Sequence, residues 1–135
     1  MSVTFFFPGV PEQETRPFAD EPDYIVMEPI APFQSLNFAN SNIVDLMKIV
    51  EPNLEFEMCG TWTVAKCEAL LERMRFLRYS GIRALFIKQP TVSHGHMQPT
   101  IYECGRNQDY VNRRMRELEE MLLIAVRNNK EICYG

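Results

Sequence analysis

The sequence lacks any close-set pair of cysteines: Cys59, Cys67, Cys104 and Cys133 are scattered, with no C-x-x-C among them. Zinc ribbons and fingers are built on such pairs, so that class is excluded. Six glycines form neither a G-x-G-x-x-G nor a P-loop, which removes those two ways of cradling a nucleotide phosphate. No Ser-His-Asp or Cys-His signature is visible, and there is no internal repeat. No apolar run approaches the ~20 residues that span a bilayer. The opening "MSVTFFFPGV" has no basic region and meets Pro8 after three phenylalanines. Neither a signal peptide nor a membrane span is therefore expected; the expected compartment is the cytoplasm, with the cysteines reduced.

What is present fits one globular domain over residues 1–135, with 46% hydrophobic and 24% charged residues. Charge is unevenly placed. Residues 1–58 carry ten acidic side chains against Arg16 and Lys48, whereas residues 59–135 carry eight acidic and twelve basic ones. Such asymmetry either draws the two halves together or leaves one sign exposed to a partner. Six of the nine prolines lie in the first 32 residues. Because each fixes φ and lacks an N–H, that part is expected to be an extended segment, residues 1–35, laid over the rest. It holds short strands at 3–7 and 24–30 but no long helix or central strand. The acidic "PEQETRPFADEPD" between them is expected to be a loop in water.

The remainder predicts an α+β fold, three helices at about 42–50, 63–79 and 108–127 on a small, mostly antiparallel sheet. Asn42 and Asp45 approximate a capping box ahead of Ile43, Leu46, Met47 and Val50, which share one helical face. "LEFEM" (54–58) alternates as a half-buried strand would. Thr61 or Thr63 caps the second helix, whose apolar face includes Val64, Cys67, Leu70, Leu71, Met74 and Leu77, and Gly81 ends it. "IRALFIK" (82–88), "TIYEC" (100–104) and "EICYG" (131–135) read as strands, and residues 90–99 as a hairpin loop. The third helix buries Val111, Met115, Leu118, Leu122 and Ala125, with Arg113–Glu117 and Arg116–Glu120 as i,i+4 pairs worth ~0.3 kcal/mol each.

"LNFANSN" before the first helix, "CGRNQDYVNRRMRELEEML" in the third and the terminal "ICYG" resemble a pattern shared by small uncharacterised bacterial and phage proteins, over about residues 36–79 and 100–135. The likeness implies a small accessory protein, phage-derived in some cases, of a class in which binding and inhibition of host machinery are common. It carries no catalytic residue across.

Candidate chemistry is sparse. His94 and His96 flank Gly95, and on an extended chain i and i+2 share a face, so both imidazoles can reach one ion, with Cys104 as a third ligand. The alternative is a polar loop between two strands. Arg73, Arg75, Arg78, Arg83 and Lys88 are interleaved with Phe76, Tyr79 and Phe86, a pattern that can clamp phosphates and stack unpaired bases. It equally describes a solvated helix face. Cys59, just before the second helix, is the one suggestive thiol, whereas Cys67 reads as core. Trp62, Arg106 and Arg113 are candidates for contact with a partner, although Trp62 also suits packing on a neighbouring strand and Arg106 an internal ion pair.

With no complete catalytic set, the sequence predicts a small accessory or inhibitor-type protein that binds another macromolecule, foremost a protein, without cofactor, metal or membrane. The alternatives are a metal-dependent enzyme on His94, His96 and a cysteine, and a single-stranded nucleic-acid-binding module on residues 73–88. A homo-oligomer through the third helix is also open to it.

Overall fold

The structure is a computed structural model that describes the backbone of residues 1–80, 91–93, 101–103 and 108–135, and the side chains of residues 1–77, 110 and 113–135. It has the expected α+β architecture. The elements run β1 (Ser2–Phe6), β2 (Glu12–Thr15), β3 (Val26–Pro29), β4 (Leu36–Ala39), α1 (Asn40–Val50), β5 (Gly60–Trp62), α2 (Val64–Ser80), β6 (Thr91–Ser93), β7 (Ile101–Glu103), α3 (Gln108–Asn128) and β8 (Ile132–Tyr134). A four-stranded antiparallel sheet has the order β4-β1-β8-β5, and the pairs β2–β3 and β6–β7 stand apart as two-stranded ladders.

Registers in the main sheet sort its side chains by face. Val3 lies opposite Phe38, Phe5 opposite both Leu36 and Tyr134, Gly60 opposite Tyr134 and Trp62 opposite Ile132. Successive strand residues alternate between faces, so these apolar residues share one side, and it packs with the buried stripes of all three helices in one core. The other face is mostly polar, with Phe6 exposed on it. There the Asn37 amide donates to the Ser2 and Thr4 hydroxyls at 3.0 and 2.8 Å, and Thr61 Oγ1 lies 3.5 Å from Cys133 Sγ.

Three expectations about the first 40 residues are corrected. The N-terminal segment is not merely laid over the rest, because β1 is an interior strand of the main sheet. The prolines that argued against a central strand begin at Pro8, after β1 has ended. The acidic stretch is not all loop, since Glu12–Thr15 pairs with Val26–Pro29 in antiparallel register. "LNFA", expected only to lead into the first helix, is β4 and closes the sheet beside β1.

Helix α1 starts at Asn40, after Ala39 as N-cap with no side-chain cap bond, so Asn42 and Asp45 do not form a capping box. Strand β4 runs directly into the helix and places Asn42 inside it, where its amide donates to the Tyr110 hydroxyl at 2.7 Å and ties α1 to α3. "LEFEM" is not a strand: the place beside β8 is taken by β5, and Leu54 and Met58 are exposed. Thr63 caps α2 as expected, its Oγ1 accepting the Lys66 N–H at 3.2 Å. Thr91–Ser93, expected within a loop, is a strand paired with β7. The expected strand 82–88 and the Gly81 helix end lie outside the described residues.

Arginine 114 secures the edge strand. Its guanidinium donates to the Asn37 carbonyl of β4, pairs with Glu117 and lies 4.1 Å from the centroid of the Phe38 ring. The exposed edge of β4 is thus covered by a charged side chain from α3, a common defence against edge-to-edge pairing.

Candidate functional sites: an acidic hairpin and an aromatic cleft

Two surfaces stand out, and the first is the β2–β3 hairpin. From residue 8 to residue 37 no side chain is buried. Within that span Phe18 and Tyr24 are each 50% exposed, Ile25 43% and Met27 53%, and the Phe18 and Tyr24 rings meet at 5.5 Å. Around them Glu12, Glu14, Asp20, Glu21, Asp23 and Glu28 are all exposed, with Arg16 as the one cation of the span. An isolated two-stranded ribbon has nothing to cover its apolar side chains, which is why these four remain in solvent.

The second is a cleft of about 290 Å³ where the last turn of α1, residues 54–57, β5, the start of α2 and the end of β8 meet. Its floor is aromatic. Tyr134 stacks on Phe56 with centroids 5.4 Å apart and planes 18° apart, and meets Trp62 at 5.2 Å. Gly60 makes room for this: a Cβ there would come within 2.8 Å of the Tyr134 hydroxyl, so the phenol can cross β5 only where that strand has no side chain. Glu51, Glu55 and Glu57 supply negative charge along the walls, and Lys66 pairs with Glu51. Burial, and next the carboxylate of Glu57, push the Tyr134 phenol above its ordinary pKa.

The residues singled out in the sequence are distributed as follows. Trp62 is buried against Phe5 and Tyr134 with only 4% exposure, so the strand-packing reading holds and the indole is no free-standing anchor. The Arg73 Nε–H donates to the Val50 carbonyl at 3.3 Å, satisfying the C-terminal end of α1, and its guanidinium lies 5.4 Å from the Phe76 ring. Arg75 is exposed. Arg113 is exposed, 4.0 Å from Glu117 and 5.6 Å from the Tyr110 ring. Arg78 lies in α2 with its side chain outside the described residues, and Arg83, Lys88, His94, His96, Cys104 and Arg106 lie outside them altogether. Among the described residues no group of three or more His, Cys, Asp or Glu could hold a metal ion, and no described helix is long and apolar enough to cross a membrane. Cys67 is a core thiol, fully buried and pushed up to about 11 by that burial; Cys59 is exposed.

Sequence reasoning did not bring together Glu51, Glu55, Phe56, Glu57, Lys66 and Tyr134. One signal was available: the alternation in "LEFEM" sets Glu55 and Glu57 two residues apart around Phe56. The same alternation is also that of a half-buried strand. In the hairpin the acidity is plain in the sequence, whereas nothing in the spacing of Phe18, Tyr24, Ile25 and Met27 distinguishes them from core residues. No family model matches the chain, and neither the curated proteins nor the solved structures include a significant match to it.

Proposed function

We propose that this chain is a small accessory or inhibitor-type protein that binds another protein, with the β2–β3 hairpin as its contact surface and a basic surface as the complement. One observation carries the reading: Phe18, Tyr24, Ile25 and Met27 are exposed together amid six carboxylates. Apolar side chains of this size supply contact area when a partner covers them, and the surrounding charge selects a partner of opposite sign and speeds encounter. The resemblance to small bacterial and phage proteins adds the accessory class, with a phage origin as one source.

The experiment is affinity capture with the purified chain, run in parallel with an Ile25→Ser, Met27→Ser double variant and over a salt gradient. A protein with a basic surface, retained by the original chain, lost by the variant and released by raised salt, is the expected result. Equal retention by the variant, or retention indifferent to salt, overturns the hairpin as the contact. If sedimentation shows self-association that the same variant abolishes, the partner is a second copy and the basic-partner reading fails.

A further inference from the structure

The aromatic cleft has a chemistry separate from the hairpin. Three carboxylates, Glu51, Glu55 and Glu57, line it with a single cation, Lys66. Lys66 is already committed to Glu51, and Glu55 and Glu57 form no ion pair among the described residues. The cleft therefore keeps an uncompensated negative charge beside three aromatic rings, those of Phe56, Trp62 and Tyr134. Ring faces and carboxylates both favour a cation, and together they select one that is weakly hydrated and carries carbon. A metal ion would need converging oxygens in greater number, and no such group occurs among the described residues.

The position of Lys66 shows what this environment accepts. Its backbone lies in the first turn of α2. Its ammonium extends to Glu51 at the C-cap of α1, the negative end of that helix. An ammonium group thus rests on the wall of the cleft, held by one of three carboxylates and a helix end of favourable sign. The other two are free to receive a second.

Two features hold the rings in place without any ligand. Trp62 is packed on Phe5 with centroids 4.9 Å apart, and Tyr134 is fixed by its strand register opposite Phe5 and by the bare backbone of Gly60. The floor is therefore preformed, which lowers the ordering cost of binding.

We propose that this cleft is a binding site for an organic ammonium group, received between the Glu55 and Glu57 carboxylates and the Phe56–Tyr134 ring stack. The same chemistry is presented by a free alkylammonium compound and by a lysine side chain of a bound protein.

Trp62 is the only tryptophan of the chain and lines the cleft, so its fluorescence reports occupancy directly. The purified chain is titrated at constant ionic strength with choline, with its neutral isostere 3,3-dimethylbutan-1-ol, and with a short lysine-containing peptide blocked at both ends. A saturable change with choline or with the peptide, absent with the isostere, is expected. Saturation by choline alone marks a free small cation as the ligand, and saturation by the peptide alone marks a protein side chain. Replacing Glu55→Gln and Glu57→Gln together is expected to weaken binding about tenfold or more with an unchanged melting temperature. No saturation with either cation, an equal response to the isostere, or unaltered affinity in the double glutamine variant overturns the proposal. The Ile25→Ser, Met27→Ser variant is expected to bind these probes normally, so failure of the hairpin reading and failure of this one are told apart.

Discussion

Strand β1 and the β2–β3 hairpin carry similar material and meet opposite fates. Both are antiparallel and both bear large apolar residues, yet Val3 and Phe5 on the inner face of β1 are at most 2% exposed while Ile25 and Met27 are near half exposed. Propensity does not separate them. What separates them is what lies opposite: β1 has β4 and β8 on its flanks and the helices over its inner face, whereas β3 pairs with β2 alone. The comparison shows that burial belongs to a side chain's surroundings and not to its type, and that apolar residues left without a cover are candidates for an external one.

The sharpest way to break that comparison is to empty the buried side. Phe5 is fully buried and touches the rings of Phe38, Trp62 and Tyr134 at 6.0, 4.9 and 5.2 Å. Its replacement by alanine is expected to cost ~3–5 kcal/mol of stability, from lost transfer energy and the cavity left behind. Urea denaturation measures this. A cost below ~1 kcal/mol would mean that the β1 face is no better packed than the hairpin and would remove the contrast.

A smaller effect tests how the helical cover is placed. Thr63→Ala removes the oxygen that accepts the Lys66 N–H at the start of α2 and is expected to cost ~1 kcal/mol. Thr63→Ser, which keeps that oxygen, should recover most of it. The same equilibrium unfolding experiment reads both variants.

The parts of this molecule that were legible in the sequence are those set by local chemistry. The helical periods of Ile43, Leu46, Met47 and Val50, and of Met115, Leu118, Leu122 and Ala125, mark faces that are buried. Thr63 marks its cap for the same reason. What was not legible depends on pairing across long separations. "LEFEM" alternates like a strand and "GTW" scarcely reads as one, yet β8 pairs with Gly60–Trp62, which sets Trp62 against Phe5 on the inner face. Asn42 has the right type for a cap, and its amide instead serves Tyr110, 68 positions away. The cleft shares this limit. It assembles Glu51, Glu57 and Tyr134 from three separate elements, and no spacing within the chain announces their meeting.

The smallest expected effect on stability is the most informative about the exposed side. Met27 lies opposite Glu14, and Glu28 opposite Gln13, so no carboxylate faces another directly across the ladder, and neither strand has a buried residue to anchor it. Thr15 Oγ1 donating to the Val26 carbonyl at 3.1 Å is one of the few side-chain ties within it. Because Ile25 and Met27 gain little by folding, converting both to serine should change the unfolding free energy by no more than ~0.5 kcal/mol, as at other exposed sites. Urea titration of the double variant beside the original chain measures it. A loss several times larger would show that these side chains support the fold, and their exposure would then no longer argue for a partner. A negligible loss combined with abolished capture would leave binding as the reason for two large apolar residues in an acidic, solvent-facing ribbon.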